Sequence, residues 1–164
     1  MVDAGHSDIT VLDLSEAALD LARGRLGGQA DMVTWLAADL LTWQPTRQYA
    51  IWHDRAVLHF LTDPTDRSRY VDSLRSALMS GGHAIIATFA PGPVHCSGLP
   101  VQRSSAQEIA DLLGHDFQLL RARSASTGRR QVPPSRSPGS SLNGRANLRI
   151  APLPLAGSRT SLGR

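Results

Sequence analysis

The stretch that decides the fold spans residues 49–89 and reads YAIWHDRAVLHFLTDPTDRSRYVDSLRSALMSGGHAIIATF. Its two ends, residues 49–52 and 83–89, are short apolar runs of the kind that forms buried strands. Between them, Asp63 and Pro64 give a helix start, with an N-cap carboxylate followed by proline at the first helical position. An apolar face at helical spacing follows, made of Tyr70, Val71, Leu74, Ala77 and Leu78. The stretch therefore predicts a strand, a helix and a second, parallel strand.

The same alternation continues on both sides of this stretch. Upstream, residues 9–12 predict a strand that ends at Asp13, residues 15–26 a helix stopped by two glycines, and residues 32–37 a second strand. Downstream, Ser105 and Glu108 form a capping box for a helix, and residues 117–120 predict a last strand. Strands that alternate with helices predict an α/β fold with a doubly wound, mostly parallel sheet.

The charge is distributed unevenly along the 164 residues. All 17 basic residues are arginine; residues 1–123 hold ten of them against all 14 acids (net −4), and residues 124–164 hold seven and no acid (net +7). The high overall isoelectric point therefore belongs to the tail and does not indicate a folded nucleic-acid-binding domain. Because the tail is rich in Ser, Gly and Pro, we predict a folded domain at 1–123 and a disordered tail at 124–164. An out-of-frame reading would explain the abrupt change in composition.

Composition also excludes several classes of protein. The single cysteine, Cys96, cannot form an intramolecular disulfide, and we expect no metal site. No apolar run approaches the ~18 residues of a membrane span. The N-terminus has no basic segment followed by a long apolar stretch, as a signal peptide would. We therefore expect a cytoplasmic protein without membrane association.

The candidate site residues follow the predicted strands, because ligands of such sheets bind at the carboxyl ends of the strands. Asp13 could accept hydrogen bonds from a ribose diol, and Asp39, in LAAD, could accept one from an adenine amino group. Each could equally be a turn or cap residue. The cluster His53-Asp54-Arg55 could place a charged group, or its Asp and Arg could pair and order the loop.

Two further histidines have weaker claims to a function. His59 lies between Leu58 and Phe60 and is expected to be a partly buried structural residue. His95 and Cys96 share a loop of residues 90–103, but a Cys–His nucleophile pair also needs an orienting group. No residue is singled out as catalytic.

The ordered set VLDLS, LAADL, YAIWHDRAVLHFL and SGGHAIIATF resembles class I S-adenosylmethionine-dependent methyltransferases. The IW-DR-A segment with its following helix is similar to the thiopurine methyltransferase-like branch, and the resemblance covers residues 3–123. It implies a Rossmann-like fold, S-adenosylmethionine as cofactor and a small-molecule methyl acceptor. The residues that it assigns to the cofactor are Asp13 (ribose), Leu14, Asp39 (adenine), Leu40 (packing nearby), and His53, Asp54 and Arg55 (the methionine part and the methyl group). The loop of residues 90–103 would build part of the acceptor site.

The sequence departs from that family at both ends. No Gly-x-Gly motif precedes Asp13, so we expect the first strand to be missing. The arginine-rich tail stands where the family has its last antiparallel strand, so we expect that strand to be missing too. The resemblance then implies a partial methyltransferase domain at 1–123, truncated or misread at both ends, with little or no cofactor binding as written.

Two other functions remain open. A nicotinamide-dependent dehydrogenase fragment would also explain an acid at Asp13. A degenerate, non-enzymatic module could bind anionic partners, such as nucleic acid, non-specifically through its +7 tail. The sequence gives neither the methyl acceptor nor the oligomeric state.

Overall fold

A computed structural model describes residues 5–55, 57–89, 95–96, 99–126 and 144–152. These residues divide into two compact units at the boundary between Gln44 and Pro45. Each unit contains its own sheet and helices, and we describe the two in turn.

The first unit is a strand–helix–strand motif. Strand β1 (Ile9–Asp13) pairs in parallel with β2 (Val33–Ala37), in a register that sets Asp13 opposite Ala37. Helix α1 (Glu16–Leu26) connects them, followed by a short 3₁₀ helix. The predicted bounds of both strands and of the helix are confirmed to within a residue.

Local chemistry sets both ends of α1. The Ser15 side chain accepts a hydrogen bond from the Ala18 backbone N–H, as an N-cap does. Gly27 ends the helix with a φ of 55°, in a region that residues with a side chain rarely adopt. Leu19 is the one residue of α1 that is fully buried.

The second unit contains a four-stranded sheet in the order β3-β4-β8-β7. Strand β3 (Tyr49–Asp54) pairs in parallel with β4 (Leu78–Phe89), and α2 (Pro64–Ala77) connects the two. This confirms the prediction made from residues 49–89. The remaining elements are a short 3₁₀ helix (Leu58–Phe60), β5 (His95–Cys96), β6 (Leu99–Pro100), α3 (Ala106–Leu113), β7 (Phe117–Ser126) and β8 (Gly144–Pro152).

Both helices of this unit are capped as their sequences predict. Asp63 accepts a hydrogen bond from the Thr65 N–H, and Pro64 is the first residue of α2. At α3, the Ser105 side chain accepts from the Glu108 N–H, and the Glu108 carboxylate accepts from the Ser105 N–H, which completes the capping box. The predicted apolar face of α2 is buried throughout, from Tyr70 to Leu78.

The last antiparallel strand is present, which corrects the prediction that it is missing. Strand β8 lies between β4 and β7 and pairs antiparallel with both. Ile150 is fully buried opposite Ala84 and Leu119, whereas its neighbour Arg149 is exposed. The prediction of a disordered tail is therefore wrong for Gly144–Pro152, because alternating side chains can bury one face of a strand even in an arginine-rich segment. Strand β7 also continues past the predicted boundary at Arg123.

The expectation of a missing first strand stays a prediction. Among the described residues, β1 pairs only with β2, and β3 pairs only with β4. Both strands therefore have one edge without a backbone partner within the part of the chain that the structure describes.

A glycine pair shapes the start of β4. The pairing shifts so that Tyr49 lies opposite Leu78 but Ile51 lies opposite His83. The residues between Leu78 and His83 include Gly81, with a φ of 76°. A Cβ on Gly82 would lie 2.9 Å from the Met79 carbonyl oxygen and 3.0 Å from that of Ala50. Helix α2 ends at Ala77, before these glycines, because Leu78 already pairs as a strand residue.

We expect Gly82→Ala to destabilise the chain by about 1–3 kcal/mol, because backbone oxygens cannot move aside as a flexible side chain can. Gly24→Ala, in the middle of α1 with open space around it, is the control and should stabilise by about 0.5–1 kcal/mol. Urea denaturation measures both changes. Equal stability of Gly82→Ala and the wild type would contradict the close approach.

Candidate functional site

Asp13 is the last residue of β1, and its carboxylate is exposed. Its Oδ1 accepts a hydrogen bond of 2.8 Å from the Ser15 N–H, which orients the carboxylate at the start of α1. Within the described part of the chain, Oδ2 has no protein donor. Leu14, the next residue, is 76% exposed. The turn interpretation is therefore correct for one oxygen of Asp13, and the other can accept from a ligand.

Asp39 has a closely similar arrangement after β2. Its Oδ1 accepts from the Leu41 N–H at 2.9 Å, and its backbone oxygen accepts from the Trp43 N–H at 2.8 Å. The carboxylate is exposed, and Leu40 beside it is half-buried. The Ala38 N–H donates to the Asp13 backbone oxygen at 3.1 Å, so the parallel pairing continues to the residue before Asp39. The structure thus brings the two predicted acids to the same end of one small sheet.

Asp54 is in a different environment from these two acids. Its side chain is 5% exposed at the end of β3. Oδ1 accepts from the Val57 N–H at 2.8 Å, while Oδ2 accepts from the Leu58 N–H at 3.1 Å and from the Tyr70 hydroxyl at 2.8 Å. The carboxylate is therefore used inside the protein, where it holds the turn that follows β3.

Tyr70 completes this buried network. Its hydroxyl donates to Asp54 and accepts from the Trp52 indole N–H at 3.3 Å, and the two rings meet edge to face. Burial and the neighbouring Asp54 carboxylate raise the pKa of Tyr70 well above its usual value, so the phenol stays protonated and remains a donor. Sequence analysis placed Tyr70 only on the buried face of α2, because helical periodicity reports burial and not hydrogen bonding.

The other two members of the predicted cluster remain at the surface. His53 and Arg55 are both exposed, on either side of the buried Asp54. For His53 and Asp54 this follows from the alternation of β3, in which neighbouring side chains point to opposite faces, whereas Arg55 is the first residue after the strand. Of the three residues, His53 and Arg55 are accessible to a ligand.

His59 is 4% exposed and packs between two phenyl rings. Its ring centroid lies 4.3 Å from that of Phe60 and 4.5 Å from that of Phe89, and the Arg103 guanidinium lies over Phe89 at 5.2 Å. This agrees with the expectation of a structural histidine. Only the backbone of His95 and Cys96 is described, and most of the loop between Phe89 and Leu99 lies outside the described residues.

The described residues include no group of three or more His, Cys, Asp or Glu side chains that could hold a metal ion. In the same part of the chain, no helix is both long enough and apolar enough to cross a membrane.

Comparisons with solved structures identify proteins with the same fold. The N-methyltransferase NodS from Bradyrhizobium japonicum matches with a TM-score of 0.64 and 18% identity, over 87% of this chain and 72% of that one. The 1,6-didemethyltoxoflavin-N1-methyltransferase of Burkholderia thailandensis, with bound S-adenosylhomocysteine, matches with a TM-score of 0.68 and 17% identity. The glycopeptide N-methyltransferase MtfA, in complex with S-adenosylmethionine, matches with a TM-score of 0.64 and 14% identity, over 92% of this chain and 80% of that one.

These similarities establish the fold. The chain has the Rossmann-like α/β fold of these methyltransferase structures, which confirms the fold class predicted from the sequence. The match to the toxoflavin enzyme spans 92% of this chain but only 63% of the longer protein. No family model matches the sequence, and no curated protein matches it.

We expect Asp54→Ala to destabilise the chain by about 3 kcal/mol or more, because it leaves two backbone N–H groups and a buried hydroxyl without their acceptor. Asp72→Ala is the matched control: it removes an exposed carboxylate from α2, and its effect should stay within about 0.5 kcal/mol. The free energy of unfolding from urea titration measures both. A loss in Asp54→Ala no larger than that in the control would show that the network contributes little.

Proposed function

We propose that the chain is built for S-adenosylmethionine-dependent methyl transfer to a small molecule. One observation supports the proposal above the others: the exposed carboxylates of Asp13 and Asp39 follow two neighbouring parallel strands. The hydroxyl and amino groups of an adenosine donate hydrogen bonds, which such carboxylates can accept. The residues present therefore fit the adenosine part of this cofactor.

The proposed roles follow the resemblance, with one change. Asp13 would accept from the ribose hydroxyls and Asp39 from the adenine amino group, with Leu14 and Leu40 as their apolar neighbours. His53 and Arg55 would lie near the methionine part and the transferred methyl group. Asp54 would act through the backbone turn that it holds, because both of its oxygens already accept protein hydrogen bonds.

The bound cofactor would supply an electrophilic methyl group, whose bond to the sulfonium sulfur breaks as the bond to the acceptor forms. The work left to the protein in such a transfer is mainly to align donor and acceptor and to exclude water. We therefore assign no catalytic acid or base. The solved structures above include a 1,6-didemethyltoxoflavin methyltransferase and a glycopeptide methyltransferase, which supports a small-molecule acceptor. The IW-DR-A segment supports the thiopurine methyltransferase-like branch.

Ligand-observed NMR with S-adenosylhomocysteine and NADH, each alone and in competition, tests the proposal. We expect S-adenosylhomocysteine to bind in preference to NADH but with an affinity weaker than micromolar, the weak cofactor binding that the resemblance implies for this chain. Asp13→Ala should weaken the binding further. The control Asp20→Ala, which removes an exposed carboxylate paired with Arg23 on α1, should leave it unchanged.

Three results would contradict these expectations. Tighter binding of NADH would favour the dehydrogenase hypothesis. Absence of any S-adenosylhomocysteine signal at millimolar concentration would overturn the proposed function. Micromolar affinity would support the function but show that the weak-binding expectation is wrong.

A further inference from the structure

We propose that Arg67 and Tyr70, on one face of α2, are positioning residues that fix the turn after β3, which the structure describes at Arg55 and at residues 57–61. The proposal rests on the proposed function, because this turn follows β3 and begins with Arg55, a residue assigned to the cofactor. Neither Arg67 nor Tyr70 would touch the cofactor. Their effect would pass through the backbone of the turn.

Tyr70 acts on the N–H side of the turn. The Val57 and Leu58 N–H groups both donate to the Asp54 carboxylate, and the Tyr70 hydroxyl donates to the same carboxylate at 2.8 Å. With Tyr70 completely buried, water does not compete for these bonds. The phenol therefore holds the carboxylate in the orientation that the two N–H groups require.

Arg67 acts on the carbonyl side of the same turn. Its Nη1 donates to the Leu58 oxygen at 3.4 Å and to the Leu61 oxygen at 3.2 Å. Partial burial lowers the pKa of Arg67, but the guanidinium stays charged at any physiological pH, so both are charge-assisted bonds. The two side chains are three residues apart on α2 and thus lie on one face of the helix.

Arg67 also ties the turn to a second segment. Its Nη2 donates to the Ser104 hydroxyl at 3.3 Å, and the Gln102 N–H donates to the His59 oxygen at 2.8 Å. Gln102 lies at the end of the loop of residues 90–103. Ser104 is the first residue after that loop, shortly before α3. The resemblance assigns that loop to the acceptor site. One guanidinium would therefore hold the cofactor-side turn and the base of the acceptor loop together.

The anchored turn presents exposed side chains that a ligand could contact. Arg55 is exposed, and Val57 and Phe60 are 40% and 38% exposed, although their neighbours Leu58 and His59 are buried. Side chains that stay exposed on an anchored backbone are preorganised, so a ligand loses less conformational entropy on binding them. We infer that loss of the Arg67 or Tyr70 bonds weakens cofactor binding without any lost ligand contact.

Amide hydrogen exchange of the full chain tests the proposal directly. Arg67→Met should speed exchange at the Leu58 and Leu61 amides by about tenfold, the effect of losing a hydrogen bond to a charged group, and leave the Leu74 amide in α2 unchanged. Arg67→Lys, which keeps one charged donor, should restore part of the protection. Arg69→Met is the matched control, because Arg69 is exposed on the same helix and pairs only with Asp66 among the described residues.

Tyr70→Phe provides an independent arm that does not depend on the folding of Arg67→Met. It should speed exchange at the Val57 and Leu58 amides, whereas Tyr49→Phe, at the chain's other tyrosine, should not. Unchanged exchange at the turn in both Arg67→Met and Tyr70→Phe would overturn the proposal. Uniformly faster exchange that includes Leu74 would also overturn it, since it would indicate general destabilisation.

The affinity for S-adenosylhomocysteine separates this proposal from the proposed function. If the wild type binds, Arg67→Met should weaken binding several-fold, Arg67→Lys less, and Arg69→Met not at all. Equal binding by all of them would overturn the link between the turn and the cofactor. If the wild type does not bind, the proposed function fails, and the exchange measurements still decide whether Arg67 and Tyr70 hold the turn.

Discussion

The second unit depends on one buried side chain, that of Asp54. A carboxyl group at 5% exposure is tolerated only when its oxygens are hydrogen-bonded, and its donors here come from the turn after β3 and from Tyr70 on α2. The requirement fixes the rotation of α2 about its axis, because Tyr70 must face the end of β3. It also fixes the path of the chain after β3, because the Val57 and Leu58 N–H groups must converge on one side chain.

The three strand-end acids divide into two kinds on the same grounds. Asp13 and Asp39 each use one oxygen in a local turn and remain exposed, so their arrangement needs only neighbours two residues away. Asp54 depends on a hydroxyl sixteen residues away and on the packing that buries it. A ligand can therefore bind the exposed Asp13 and Asp39 at little cost to the fold. Separating Asp54 from its donors would break the turn after β3, so the role of Asp54 is structural.

The features that could be predicted from the sequence are the ones that nearby residues decide. The caps at Asp63 and Ser105 form as predicted, because each needs a hydrogen bond within three residues. The role of Asp54 could not be predicted, because its partner Tyr70 was recognisable only as an apolar position at helical spacing. The same limit applies to Arg67, since nothing in a helical pattern distinguishes it from exposed Arg69. The strand-end positions of the candidate site residues were therefore predictable. Which of these residues are exposed and which form buried hydrogen bonds was not.

Strand β8 shows why composition misleads about an individual segment. Averaged over residues 124–164, the arginine, serine and proline content argues against a buried core, yet Gly144–Pro152 pairs on both sides in the sheet. A strand between two others satisfies nearly all of its backbone groups through pairing, and only one of its faces needs apolar side chains. Ile150 at the core, with Arg149 directed outward, meets that condition. The order β3-β4-β8-β7 then follows, because a late segment can enter the sheet beside β4 when neighbours on both sides supply its hydrogen bonds.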